Sequence, residues 1–364
     1  MSATPSDAGL LHRITTGKYP RILVLGLHRG AGKRTVVEGL AREAAASGDP
    51  LGIGAAPRLV HDDDYSRELP TVVPLPAGTI VLTARDILSE GSAGLDILQD
   101  TGISSSLGEL VVARVREEGE AALFGPSEPD SIHAVTGLLR THGALRQVVT
   151  AGREHQAFLK TGLFDGVVLS AGLGIAPSEE RAIAAIGYEV DALDLPECDA
   201  LARTSFEVAR SKNEIVVTDV EGRVLRTLTR DPAAAARWIT GGDAPSTVTV
   251  IVPGKLNDDL VRPLVQSGMS GTFVAEDVTR MRVAPIYFKA WLKGGGEYRV
   301  VHSTPLLAVA LNPHDPVSGV TAAPPRFLEK VGSEVSKVAV HDVVHEMLPA
   351  GKRRSWKFWS RKSD

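Results

Sequence analysis

Cysteine is nearly absent: the 364-residue chain has one, Cys198. This excludes an internal disulfide framework and any cysteine-rich zinc or iron–sulfur site within one chain. It also fits a reducing compartment. No apolar run approaches the roughly 20 residues of a spanning helix. The opening segment MSATPSDAGLLHRITTGKYP has no sustained apolar stretch after a basic region, so no signal peptide is expected and the expected location is cytoplasmic. Neither sign of charge is in large excess, and a net charge of −4 gives no reason to expect nucleic acid as the main partner. The histidines form no helical H-x-x-x-H pair. His341 and His345 fall four apart, but in a strand-to-turn segment where they read as surface or structural. There is no G-x-S-x-G elbow. Cys198, beside Pro196 and Glu197, has no obvious base and reads as a buried or inert thiol.

What is present is an ordinary soluble composition, 43% hydrophobic and 23% charged, in a chain long enough for two domains. The most informative segment is Arg21–Thr35, RILVLGLHRGAGKRT. It runs an apolar strand into a glycine-rich loop, a lysine and a helix. Such a loop aims backbone N–H groups at one point, and the helix N-terminus adds its positive end. The motif for a phosphate-cradling P-loop is G-x-x-x-x-G-K-[ST]. Counted back from Gly32-Lys33, its first glycine falls on Leu27, and the nearest glycine is Gly26. The position after Lys33, which normally gives a hydroxyl to Mg²⁺, is Arg34, with Thr35 one residue later. The candidate nucleotide-binding residues are therefore Gly26, Gly30, Ala31, Gly32, Lys33, Arg34 and Thr35. Lys33 would reach outer phosphates, the backbone at Gly30 and Gly32 would line the cradle, and Thr35 would touch an inner phosphate. The plain alternative is a glycine-rich turn that lets helix pack closely on strand.

Along the chain, apolar periodicity predicts helices over Thr35–Ser47, Ala93–Thr101, Ser131–Thr141 and His155–Lys160. Strands are predicted at Thr79–Thr83, Glu109–Val115, Gln147–Thr150 and Gly166–Ser170, and His61–Glu68 reads as a polar connection. The alternation implies an α/β fold with a mostly parallel sheet and helices on both faces. Residues Asn213–Leu228 read as a hairpin around Glu221-Gly222. A second βαβ series begins at Thr247 and ends with strands at Leu306–Leu311 and Val338–His341. The expected division is an extension over 1–19, a P-loop-like α/β domain over 20–204, a second, smaller α/β domain over 205–346, and a tail over 347–364. That tail interleaves basic residues from Lys352 to Lys362 with Trp356, Phe358 and Trp359. A solvated tail, a partner-docking peptide and a segment touching an anionic surface all fit it.

A nucleotide hydrolase of this kind usually has an acidic residue at the end of a strand beside the loop. The strands here end at Thr83, Thr150 and Ser170. Asp86 follows the first by three residues, as a metal approach or as a cap of the next turn. Asp62, Asp63 and Asp64 suit either a hard cation or a solvated loop. No metal-binding set is assigned, and Mg²⁺ is doubtful.

Taken in order, these segments resemble the P-loop-bearing subunit of the lysine 5,6-aminomutase reactivase, which services an adenosylcobalamin-dependent enzyme. Gly26, Ala31, Gly32 and Lys33 stand where that family has its A-G-K loop, and Ser106–Val115 is similar to its T-P-L-G-x-V-V-I-x-R-V segment. Asp165–Gly172 is similar to its D-x-x-I-L-S-T-G element, and Leu306–Pro313, LLAVALNP, to its L-L-A-V-x-x-N-P element. Two departures fall on phosphate and metal chemistry: Arg34 replaces the threonine of G-K-T, and Val149-Thr150-Ala151-Gly152 replaces V-D-G-A. The resemblance implies a divergent accessory protein that binds ATP or ADP and partners a cobalamin-dependent aminomutase or a second reactivase subunit. An ATP-dependent synthetase of dethiobiotin-synthetase-like architecture and a catalytically silent scaffold are the alternatives. The mark of the synthetase would be a carboxylate close to Lys33 together with a pocket large enough for a substrate.

Overall fold

The computed structural model describes residues 18–61, 66–160 and 162–343. The expectations for the Asp62–Asp64 triplet, His345, the tail and most of the N-terminal extension therefore lie outside the described residues. The chain is α/β, with a large, mostly parallel mixed sheet and several helices. Its described residues divide into two compact units: those within 18–158, 162–187 and 305–343 form the first, and 159–160 and 188–304 the second.

The first unit opens with β1 (Arg21–Gly26), α1 (Lys33–Ala46), β2 (Leu51–Ala55), the antiparallel pair β3 (Arg58–His61) and β4 (Ser66–Leu69), and then β5 (Thr71–Leu75). Next come β6 (Ile80–Ala84), β7 (Gly94–Ser105), β8 (Gly108–Glu117), β9 (Gly119–Leu123), α2 (Pro129–Thr141), β10 (Arg146–Gly152) and β11 (Gly166–Gly172). The helix α3 (Glu179–Leu193) follows. Within the second unit lie α4 (Ala200–Lys212), β12 (Glu214–Thr218), β13 (Val224–Thr229), α5 (Pro232–Trp238), β14 (Thr247–Val252) and β15 (Leu256–Asn257). It continues with α6 (Asp258–Gln266), β16 (Ser270–Ala275), β17 (Met281–Arg282), α7 (Pro285–Lys293) and β18 (Glu297–Val300). The first unit is then completed by β19 (Leu306–Asn312), α8 (Pro324–Glu334) and β20 (Val340–Asp342).

The large sheet runs β20-β19-β11-β1-β10-β2-β6-β8-β7, parallel from β20 to β6 and antiparallel over the last two pairings. β1 sits at its middle because both faces of its apolar run are covered, with Ile22 to Gly26 buried, the pattern of a parallel core strand. The helix α1 turns Val36, Val37, Leu40, Ala41 and Ala44 into a cluster with Ile22, Val24, Ile53 and Val148. Its face was visible as a 3.6-residue period. The second unit has a sheet of order β13-β12-β14-β16-β18, over which Phe273, Phe288, Trp291 and Tyr298 form an aromatic core. The Phe288 and Tyr298 rings stack 4.5 Å apart and 2° from parallel.

Three expectations differ from this structure. Ala93–Thr101, read as helical, lies mostly in β7; bulges at Ile97/Gln99 and Asp100/Ser104 break its two-residue alternation, leaving a spacing that mimics a helix. The polar connection His61–Glu68 includes the start of β4, a short strand whose polar residues hide its period. The division at 204/205 and the end of the second domain at 346 also differ from the two units. The second unit ends at Thr304 because β19 pairs with β11 in the first unit's sheet, a long-range pairing that no local pattern announces.

Candidate functional site

The glycine-rich segment leaves the carboxyl end of β1, whose last residue Gly26 is in register with Gly152 of β10 and Ser170 of β11. Gly30 and Gly32 have φ of +79° and +99°, a region that a side chain disfavours. Two distant polar side chains hold the turn. Asn312 Nδ2 donates to the Gly30 carbonyl at 2.7 Å, and the buried Ser170 Oγ donates to the Ala31 carbonyl at 2.7 Å. With these carbonyls held, the N–H groups of Gly32, Lys33, Arg34 and Thr35 donate to no other group among the described residues. They are the unsatisfied first turn of α1, where Gly32 caps without a side chain.

Lys33 folds back over the end of β1. A Cβ added at Gly26 would come within 2.6 Å of Lys33 Cδ and Nζ, so the missing side chain at position 26 is the path of the lysine. Among the described residues the Lys33 ammonium has no hydrogen-bond acceptor or ion-pair partner. Burial holds its pKa below the ordinary lysine value; Glu154 opposes that shift and Arg58 adds to it. Arg34 is turned aside, its guanidinium paired with Glu120 of β9. Thr35 lines the same cavity as Lys33.

That cavity has a volume of about 1010 Å³ and lies across the carboxyl ends of β19, β1, β10 and β2. Gly26, Gly30, Ala31, Gly32, Lys33, Arg34 and Thr35 all line it. The described lining carries six cationic side chains, Arg29, Lys33, Arg34, Arg58, Arg67 and Arg153, against a single carboxylate, Glu154. The hydroxyl of Thr150 is buried on this wall and has no hydrogen-bond partner among the described residues.

Glu154 was missed by the sequence reading, which looked for an acid at strand ends and stopped β10 at Thr150. The strand runs on to Gly152, and the carboxylate folds back onto it: a Cβ at Gly152 would lie 2.2 Å from Glu154 Oε2. The signal was available as the first acid after β10, with one residue, Arg153, between it and the strand's end at Gly152. His155 fixes this turn, its Nε2 facing the Pro57 carbonyl at 2.9 Å while its ring stacks on Phe158. Burial depresses the His155 pKa, and because the Pro57 carbonyl can only accept, Nε2–H is the donor. His28 in the loop is also held below the usual histidine range by burial, and its Nδ1 lies 2.7 Å from the Arg29 carbonyl.

The other candidates lie elsewhere. Asp86 sits in a short turn against Gly108 and does not line the cavity. The Thr83 hydroxyl donates to the Ala122 carbonyl at 2.6 Å. Among the described residues no group of three His, Cys, Asp or Glu is placed to hold a metal. Cys198 is buried and its thiol pKa is pushed up by that burial, away from reactivity. No described helix is long and apolar enough to cross a membrane. No protein-family model matches the chain, and neither the curated proteins nor the solved structures contain a match.

Proposed function

We propose that the first unit is a P-loop-like module that binds ATP or ADP, and that the chain is a reactivase-like accessory protein whose nucleotide state acts on a partner enzyme. The observation that carries nucleotide binding is Lys33: a desolvated ammonium with no acceptor among the described residues, beside a helix N-terminus whose N–H groups are also unpartnered. A desolvated cation beside several unpartnered donors costs free energy until an anion meets them. The polyphosphate of a nucleotide supplies that anion, and the cavity is at the upper end of the roughly 300–1,000 Å³ usual for small-molecule sites. With Arg34 paired to Glu120, the position after the lysine brings no hydroxyl to a cation. Thr35 and Glu154 are the lining groups that would hold Mg²⁺, and binding should depend on it only weakly.

The accessory role and its partner, a cobalamin-dependent aminomutase or second reactivase subunit, rest on the order of the sequence motifs. Glu154 beside Lys33 and the size of the cavity favour a second reading, an ATP-dependent synthetase that phosphorylates a small carboxylate. Titration calorimetry of the full chain with ADP and ATP, with and without Mg²⁺, tests the nucleotide reading. Binding should weaken at least tenfold in Lys33→Ala, about 1.4 kcal/mol. Equal affinity in wild type and variant, or no binding at all, overturns it. Native co-purification separates the accessory role from the synthetase: recovery of the aminomutase supports the first, and nucleotide turnover that requires an added carboxylate supports the second.

A further inference from the structure

The cavity extends to both sides of β1, over whose end Lys33 folds, and each side is one arm of it. It reaches from the end of β19 to the segment after β2, four strand spacings or about 19 Å. The arm beyond β11 is lined by Asn312, His314, Pro316 and Val343, and Arg29 enters the lining beside Gly30, whose missing Cβ would lie 2.3 Å from Pro316. The arm beyond β10 is walled by the β3–β4 hairpin. Its pairings, Arg58 with Leu69 and Val60 with Arg67, place these four residues on one face, and all four line the cavity, together with Leu59 of the other face. The opposite face of the hairpin is tied down by Glu68, which accepts from Ser106 Oγ at 2.7 Å and Ser127 Oγ at 2.9 Å. The arginine-bearing wall is thus a built surface with its back anchored.

A nucleotide whose phosphates sit at Lys33 has one base and can enter one arm. The arm with amide and imidazole groups suits a base; the other has two guanidinium groups, those of Arg58 and Arg67, flanked by Val60 and Leu69. Arg58 has no ion-pair partner among the described residues and bears on Lys33 as a like charge. Like charges lining one cavity favour an anion between or beside them, although Arg58 itself is exposed. On the nucleotide reading above, we propose that the β3–β4 arm is a second ligand site, which takes a small anion carrying a carboxylate or phosphate on a short apolar body. Arg58 is its principal contact, and Val60 and Leu69 receive the apolar part. The nucleotide and this anion bind together, the second next to the outer phosphate of the first.

Calorimetry on the full chain tests this with glutarate and inorganic phosphate as probes, each titrated with and without saturating ADP. At least one probe should bind the ADP-loaded protein. Arg58→Gln should weaken it about tenfold, as loss of a charge-assisted contact does, while ADP affinity stays within about threefold. Arg58→Lys, which keeps the charge and loses the fork, should fall between wild type and Arg58→Gln. Unchanged melting temperatures would show that both variants fold. Preference for glutarate identifies a carboxylate ligand, and preference for phosphate a phosphorylated one. Failure of both probes on ADP-loaded protein overturns the second site and leaves nucleotide binding standing. So does competition of the probe with ADP, or a loss of ADP affinity in Arg58→Gln as large as in Lys33→Ala. If wild type binds a probe through Arg58 but no ADP, the anion site stands and the nucleotide reading falls.

Discussion

Asn312 holds the carbonyl of Gly30 across 282 residues of chain, Nδ2 to oxygen at 2.7 Å. The same amide accepts the His314 N–H on its Oδ1 at 3.1 Å, so its orientation is fixed at both ends. The loop after β1 is therefore shaped by the last residue of β19, which follows the whole second unit in sequence.

The first prediction concerns that clamp. Asn312→Ala leaves the Gly30 carbonyl without its donor and should lower stability by about 1–3 kcal/mol, the cost of an orphaned polar group. Affinity for ADP should also fall, because the loop then samples arrangements in which its N–H groups no longer converge. Asn312→Asp should be worse, since a carboxylate faces both the carbonyl and the incoming phosphates. Chemical denaturation and calorimetry check both. An Asn312→Asp variant that binds as well as wild type would show that the loop holds its shape unaided.

Gly26→Ala isolates the path of the lysine. The added methyl would meet the flexible end of Lys33, so the side chain can move aside and stability should change by under about 1 kcal/mol. Binding of ADP should nevertheless fall about tenfold, approaching Lys33→Ala, because the ammonium is displaced from the end of β1. Normal binding in Gly26→Ala would mean that Lys33 has another route to the phosphates.

Acidification should weaken the first unit through the buried His155 and the half-buried His28. His28 and His155 both have pKa values lowered by burial from the ordinary 6.5. The unfolded chain then binds protons that the folded one refuses, between 6.5 and the lowered values. Stability is therefore complete above that window and falls as the pH drops through it. His155→Gln keeps a donor for the Pro57 carbonyl and removes the titration. The variant should show a shallower loss of melting temperature than wild type as the pH falls below about 6.5. An identical slope would show that His155 does not contribute.

Much of this fold was legible in the sequence because its parallel strands are continuous apolar runs and its helices keep a clean period. Val36, Val37, Leu40 and Ala44 announce the buried face of α1, and all four are buried. The paired strands around Glu221-Gly222 form the antiparallel hairpin β12–β13 that the turn residues suggested. The failures have physical causes. The β7 strand hid behind its bulges, and β3 and β4 were too short and too polar to show a period. The place of β19 beside β11 depends on contacts between residues far apart in sequence, which fix the unit boundaries without leaving a local mark. At the site, the lysine and glycines could be read from their order. Glu154 was visible only as the first acid after β10; its place over Gly152 comes from the turn that follows the strand.

Backbone space in the second unit gives a fourth test. Gly271 has φ of +136°, and an added Cβ would lie 1.9 Å from the Val248 carbonyl oxygen of the paired strand β14. The neighbour is backbone and cannot swing away. Gly271→Ala should cost at least about 3 kcal/mol or prevent folding, whereas Gly268→Ala, at φ of +69° with nothing within 4 Å, should cost only about 1–2 kcal/mol. Equal melting temperatures for the two variants would contradict the tight pairing of β14 with β16.

The last prediction returns to the position after the lysine. Arg34 and Glu120 pair where both side chains are more than a third exposed, 37% and 49%, so the bond adds at most about 1 kcal/mol to stability. Removing it should leave the fold intact. Arg34→Thr places a hydroxyl at the second position of α1, where the motif presents one to a nucleotide-bound cation, and it frees the carboxylate of Glu120 in the same step. If Lys33 is in the motif's register, ATP affinity in this variant should become Mg²⁺-dependent, rising several-fold on adding the ion while wild type changes little. Glu120→Gln is the control: it breaks the pair without supplying a hydroxyl and should not create the dependence. Calorimetry with and without Mg²⁺ on the three proteins decides it. Mg²⁺ dependence in Glu120→Gln would assign the effect to a released Arg34, and none in Arg34→Thr would show that the hydroxyl does not face the phosphates and that the loop's register differs from the motif's.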